Sequence, residues 1–168
     1  MIPFLPAIVA GVLLTAVLIK VVTSVIPGVE IEDWTPAFIV AGISALVGYG
    51  TGVGKAIEAA DLLAGHGLDV TVADARFAKP IDTGLMAQLA AEHDLLVTVE
   101  EGVLAGGFGT AVWEALSDGG AAPRILRVGL PDRYVTHGTP SLLHEEVGFT
   151  GERIAERIES AIRDPAIA

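Results

Sequence analysis

Two adjacent carboxylates, Glu100 and Glu101, are the residues of this sequence best placed to do chemistry. They follow the apolar run Leu95–Val99 and precede a glycine-rich stretch that opens a helical segment. Carboxylates at the end of a strand can serve as general acids or bases or bind a metal ion, but no third ligand with metal spacing lies nearby. They can equally fix the loop by accepting hydrogen bonds from backbone N–H groups. The pattern favours this structural or interface use over catalysis.

A glycine-rich stretch at residues 48–55 has the composition of a phosphate-binding loop but not its spacing. A phosphate loop requires glycine where Tyr49 stands and a hydroxyl where Ala56 stands, and the dinucleotide fingerprint fails at Val53 or Lys55. Glycine also permits backbone angles that other residues avoid. The stretch therefore predicts a tight turn from a strand into a helix.

The remaining reactive side chains form no recognisable catalytic pattern. The four histidines (His66, His93, His137 and His144) show no HExxH spacing, and no serine lies in a GxSxG elbow. The absence of cysteine excludes disulfides, thiolate metal sites and a cysteine nucleophile. His137, in a polar turn, is predicted to be a hydrogen-bonding or interface residue.

The elements that must position these residues alternate between short apolar strands and amphipathic helices. The predicted strands are Ala45–Tyr49, Asp69–Ala73, Leu95–Val99 and Ile125–Val128, and the predicted helices cover 53–65, 82–92 and 108–118. A last helix is marked by a capping residue, Thr150, by Glu152 in its first turn, and by Ile154, Ile158 and Ile162. This alternation predicts an α/β fold with three layers, αβα, around a mainly parallel sheet.

The N-terminal part of the chain has a different character. Residues 4–26 are apolar apart from Lys20, which is close enough to one end to reach the lipid headgroups, so they predict a membrane-spanning hydrophobic helix. The apolar run 34–53 could be read as a second span, but a strand at Ala45–Tyr49 would leave too few residues for it. We expect two parts, a membrane segment with linker at 1–43 and a soluble domain at 44–168. With 21 acidic and 10 basic residues the chain is not expected to bind nucleic acid.

Four ordered motifs in the soluble part resemble one known family. They are the stretch 74–82, the stretch 93–101, the glycine cluster 106–109, and residues 129–134 followed by His137 and Gly138. In order and spacing they are similar to the last, transketolase C-terminal-like domain of 1-deoxy-D-xylulose-5-phosphate synthases. The resemblance covers about 120 of the 168 residues. Gly102 and the pair Phe149-Thr150 depart from the family's usual residues.

The resemblance implies a function for a complete enzyme. Such synthases join pyruvate and glyceraldehyde 3-phosphate, with loss of CO2, to start isoprenoid precursor synthesis, and they use thiamine diphosphate and Mg2+. The cofactor-binding parts belong to the two preceding domains, so this chain alone is expected to bind no cofactor and to be inactive. Its partners would be those domains or a homodimer partner, with the lipid bilayer bound through residues 4–26 and the soluble domain in the cytoplasm. The alternative is a membrane-anchored interaction protein without enzymatic activity.

The same resemblance assigns charged residues at strand ends and turns to interdomain or dimer contacts. The candidates are Arg76, Lys79, Glu100, Glu101, Asp132, Arg133 and His137.

Overall fold

The computed structural model describes residues 44–164 and residue 166. The predicted membrane segment and its linker, residues 1–43, lie outside this part of the chain. No helix among the described residues combines the length and the apolar character that crossing a membrane requires.

The described residues form a three-layer α/β domain in which strands and helices alternate. The strands are β1 (Ser44–Tyr49), β2 (Val70–Asp74), β3 (Leu95–Val103) and β4 (Ile125–Leu130). The helices are α1 (Gly52–Gly65), α2 (Thr83–Glu92), α3 (Phe108–Asp118), α4 (Pro140–Val147) and α5 (Gly151–Arg163). All the elements predicted beyond residue 44 are present, and α4 is an additional helix that the sequence pattern did not predict.

The sheet is parallel throughout and has the order β2-β1-β3-β4. Ser44 pairs with Val70 on one side and with Leu95 on the other, so β1 is a central strand. Helix α1 leads from β1 to one edge of the sheet, whereas α3 leads from β3 to the opposite edge. The direction of the connections therefore reverses between β1 and β3, which is the position where open α/β sheets form a crevice at their carboxyl ends.

Two apolar cores cover the two faces of the sheet because successive residues of a strand point to opposite sides. In β1, Leu46 packs with α1 and α5, while Ala45 and Val47 pack with α2 and α3. This double burial explains why the strands are nearly continuous apolar runs.

Helix α5 begins and packs as its sequence predicts. The Thr150 hydroxyl accepts a hydrogen bond from the backbone N–H of Arg153 at 3.3 Å, which caps the helix. Ile154 and Ile158 are fully buried and Ile162 is partly buried against the same core. One stripe of α5 thus closes the face of the sheet that α1 covers.

The glycine-rich turn after β1 is a strand-to-helix turn, as predicted. Gly52, the first residue of α1, lies so close to β3 that a Cβ atom there would collide with the carbonyl group of Val99. Glycine is therefore required for the close approach of α1 to the sheet.

Strand β3 is longer than its apolar run. It continues beyond Val99 through the two carboxylates to Val103, with an irregular register between Val99 and Val103. This irregularity interrupts the regular pairing with β4 and changes the direction of the side chains between Val99 and Val103. Glu100 and Glu101 consequently lie at the end of a strand rather than in a loop.

Candidate functional site at the carboxyl edge of the sheet

The residues that the sequence predicts as contacts lie in the last part of β3 (Glu100 and Glu101) or follow the carboxyl ends of β2 and β4, and these strand ends meet at one edge of a parallel sheet. Arg76 and Lys79 follow β2, and the residues Asp132, Arg133 and His137 follow β4. Because β2 and β4 are at opposite ends of the strand order, three strand spacings of about 4.8 Å separate these two groups by roughly 14 Å. They share an edge of the domain but do not form one compact cluster.

Glu100 is buried, and its carboxylate caps a helix. Its Oε2 accepts a hydrogen bond from Phe108 N at 2.6 Å and its Oε1 accepts one from Gly109 N at 2.8 Å. These donors are the first two N–H groups of α3, where the helix dipole favours a negative charge. Gly107 makes room for this contact, since a Cβ there would collide with the Glu100 carboxylate.

This geometry selects between two interpretations of Glu100. Both of its carboxylate oxygens are buried and bonded to backbone N–H groups of its own chain, and its contact with a partner stays a prediction. Of the roles considered from the sequence, binding backbone N–H groups is the one that the structure shows.

Glu101 connects the first turn of the domain to α4. Its carboxylate accepts hydrogen bonds from the Thr51 hydroxyl and from His144 Nε2, the latter at 3.0 Å. The Thr51 hydroxyl, followed by His144, holds the pKa of Glu101 below its ordinary value. The His144 ring also meets Phe149 edge-on, with ring centroids 5.3 Å apart. The ionised carboxylate of Glu101 therefore links the start of α1 to α4 through hydrogen bonds.

The charged loop residues are exposed, and Arg133 and Thr136 contact Glu146 of α4 from the loop after β4. Glu146 on α4 accepts a hydrogen bond from the Thr136 hydroxyl at 2.5 Å and lies 3.7 Å from Arg133 NH1. Arg76 adopts a left-handed backbone conformation with φ of 55°, and its N–H donates to Asp74 Oδ1 at 2.9 Å. The side chains of Lys79, Asp132 and His137 are exposed to solvent.

An apolar cleft of about 190 Å³ lies beside α4. Its walls come from β3, the end of β4, the following loop and α4; the lining residues are Glu101, Leu130, Val135, Pro140, Leu143, His144 and Val147. Tyr134 and Leu142, which neighbour lining residues in the chain, are exposed.

Sequence reasoning missed both α4 and the role of His144. A signal for the helix is present: Pro140 stands at its start after Thr139, and Gly148 follows its end in the left-handed conformation. Proline at the first position and glycine after the last are the expected boundaries of a helix. No comparable signal marks His144, because its partner is 43 residues away in the chain.

Comparison with known proteins decides the family. Residues 44–154 match the family model described as transketolase, C-terminal domain. The chain belongs to this family.

Within the transketolase C-terminal domain family, this chain is most informatively compared with 1-deoxy-D-xylulose-5-phosphate synthases. It is 51% identical over 124 residues to the probable synthase 2, chloroplastic, of Oryza sativa subsp. japonica, a match that covers 72% of this chain and 17% of that protein. It is 49% identical over 124 residues to the synthase of Gloeobacter violaceus, covering 73% of this chain and 19% of that protein. The chain thus spans less than a fifth of the length of these curated relatives.

Solved structures agree with the transketolase C-terminal fold. A solved structure described as "Split gene transketolase, inactive beta4 tetramer" superposes with a TM-score of 0.67 at 33% identity. The match covers 73% of this chain and 40% of that one. The transketolase of Campylobacter jejuni superposes with a TM-score of 0.52 at 16% identity, covering 72% of this chain and 17% of that one. The second likeness concerns the fold alone.

The described residues do not fit thiamine diphosphate with Mg2+. A diphosphate would seek the helix N-terminus at the crevice, but Glu100 already binds the N-terminal N–H groups of α3, and the ionised Glu101 lies beside the start of α1. Both carboxylates repel a phosphate group. The described part of the chain also contains no group of three or more His, Asp or Glu side chains arranged to hold a metal ion.

Proposed function

We propose that this chain supplies the C-terminal domain of a 1-deoxy-D-xylulose-5-phosphate synthase and contributes to activity by packing rather than by chemistry. The assembled enzyme would join pyruvate and glyceraldehyde 3-phosphate with loss of CO2. The observation that carries this proposal is about 50% identity to several such synthases over a region of one domain. The structural use of both carboxylates at the crevice supports a role without catalysis.

The partner would be the remainder of a synthase, supplied as a separate polypeptide or by a second subunit. Support comes from the short span of the match, less than a fifth of each relative. The similar solved structure is described as a split gene transketolase in the form of an inactive tetramer. That precedent favours a chain that acts together with the other synthase domains in trans, where thiamine diphosphate and Mg2+ would bind.

Reconstitution tests this proposal. The full chain is mixed with the Gloeobacter violaceus synthase from which the matching domain has been removed, after that truncated synthase has been shown to regain activity with its own excised domain. We expect the chain to co-elute with the truncated synthase and to restore product formation from pyruvate and glyceraldehyde 3-phosphate. If the chain neither co-elutes nor restores activity, the proposal fails, and the alternative of an interaction protein without enzymatic activity is left.

The membrane anchor and the cytoplasmic location are proposals as well. The support for the anchor is the composition of residues 4–26, which are apolar except for Lys20. We expect the full chain to float with liposomes in a density gradient and to resist extraction by carbonate, whereas a variant lacking residues 1–43 should do neither. Equal behaviour of the two proteins would remove the bilayer as a partner.

A further inference from the structure

The carboxyl edge of the sheet carries most of the exposed apolar side chains of the described domain. Seven large hydrophobic residues of the described domain are exposed, and four of them lie at a strand end, after one or on α4: Phe77, Val103, Tyr134 and Leu142. Ile57, Leu62 and Trp113 lie elsewhere, on α1 and α3. Tyr134 and Leu142 adjoin residues of the apolar cleft beside α4, and an exposed apolar patch marks an interaction surface, so this part of the edge is the surface that favours a partner.

The cleft beside α4 is the concave part of this edge. Leu142 is 61% exposed and Tyr134 is fully exposed, and both neighbour residues that line the cleft. The volume of about 190 Å³ is smaller than the roughly 300–1,000 Å³ of small-molecule sites. A cleft of this size suits one apolar side chain of a partner protein better than a metabolite.

The walls of the cleft are held in place before any partner arrives. Helix α4 has no fully buried residue, but Val147 packs against the apolar core and the His144 ring contacts the buried Phe149. Polar contacts add to this packing: His144 donates to Glu101, and Glu146 accepts a hydrogen bond from Thr136 and lies near Arg133. Binding to a preformed cleft avoids the entropic cost of ordering its walls.

We propose that this cleft, together with Tyr134 and Leu142, is the docking slot for an apolar side chain presented by the remaining synthase polypeptide. The proposal rests on the proposed function and names the surface that would perform it. Aromatic and aliphatic anchors that fill a pocket at the centre of an interface provide most of the binding energy.

Two observations favour that occupant over a second copy of this chain. More than four fifths of each curated synthase lies outside the matched region, so the equivalent domain of those proteins has a large neighbour to pack against. The chain also has 21 acidic and 10 basic residues, so two copies repel each other. Glu101 lines the cleft, so the partner is expected to place Lys or Arg beside its apolar anchor.

Binding of three variants of the full chain tests the slot. The partner is the truncated Gloeobacter violaceus synthase, first shown to bind its own excised domain, and the dissociation constant is measured by titration calorimetry. Leu142→Asp and Tyr134→Ala should each weaken binding at least about tenfold. Trp113→Ala removes an aromatic of comparable exposure (53%) from a different surface and should change binding less than about twofold. Circular dichroism confirms that each variant is folded.

The outcomes separate the slot from the proposed function. If the unmodified chain binds and both slot variants bind equally well, the slot is refuted while the proposed function stands. Loss of binding in Trp113→Ala alone would move the interface to the surface of α3 and also refute the slot. If the unmodified chain does not bind at all, the proposed function itself fails. Self-association of the unmodified chain in sedimentation velocity that Leu142→Asp abolishes would assign the slot to a second copy instead.

Discussion

Replacing Glu100 with glutamine tests whether the buried carboxylate holds the start of α3. The substitution keeps the shape of the side chain but replaces one of the two carboxylate oxygens with an NH2 group. That NH2 group cannot accept a hydrogen bond from the backbone N–H that it faces. One of the two bonds, from Phe108 N at 2.6 Å or from Gly109 N at 2.8 Å, must therefore be lost.

The cost follows from these contacts. A hydrogen bond to a charged group contributes about 1.5–3 kcal/mol, and a negative charge at a helix N-terminus contributes about 0.3–2 kcal/mol. Relief of the desolvation of a buried charge opposes both terms. We expect Glu100→Gln to lower the free energy of unfolding by about 2–3 kcal/mol. For a domain of about 120 residues this corresponds to a fall of roughly 10 °C in Tm.

The assay is urea denaturation of the full chain followed by circular dichroism, with Glu101→Gln as the matched control. Glu101 is the adjacent carboxylate but is exposed, so the same substitution there should cost less than about 1 kcal/mol. Hydrogen exchange should show reduced protection of the Phe108 and Gly109 amides in the Glu100 variant only. Equal losses of stability in the two variants, or unchanged protection of those amides, would refute the capping role.

Three further predictions concern packing and pH. Gly107→Ala should destabilise the domain by about 2–4 kcal/mol in thermal unfolding, because the new Cβ would collide with the buried carboxylate of Glu100. Gly106→Ala, where the Cβ would meet open space but φ is positive, should destabilise it by about 1 kcal/mol. The folded-state pKa of Glu101 is lowered from 4.5, so its contribution to stability is complete above pH 4.5 and is lost as the pH falls through the folded-state pKa. Urea titrations at several pH values from pH 3 to about 6 should show this pH-dependent part of the unfolding free energy in the unmodified chain and not in Glu101→Gln. The same pH dependence in both proteins would contradict the prediction. Ile158→Ala, in the core, should cost about 2–5 kcal/mol in urea denaturation, whereas Ile57→Ala, at an exposed site, should cost less than about 1 kcal/mol; similar values would show that α5 does not close the core.

The fold was predictable from the sequence where strands and helices are long and their apolar pattern is strong. Apolar runs between polar turns located the strands, and the spacing of Ile154 and Ile158 located α5 and its buried side. Helix α4 escaped prediction because it is short and none of its residues is fully buried. Its boundaries, Pro140 and Gly148, were the available signal.

The candidate site was predictable only in its location. Strand-end positions in a parallel sheet place the charged residues on one edge, and that much follows from the sequence pattern. The role of Glu100 depends on N–H groups eight and nine residues later, and that of Glu101 depends on His144, 43 residues away. Such partners become evident only after the sheet and helices have brought distant segments together.

The central position of β1 has a consequence for how the domain forms. Its neighbour β3 follows 51 residues later, since Ser44 pairs with Leu95, and the apolar side of α1 is covered by α5 at the end of the domain. Parallel pairings between distant segments cost loop-closure entropy before their contacts form. This cost slows folding and prolongs the exposure of apolar surface that is prone to aggregation. A nascent chain interrupted before Gly151 would leave the side of Ala56, Ala59 and Leu63 that faces α5 uncovered, so this apolar surface stays exposed until α5 has been synthesised.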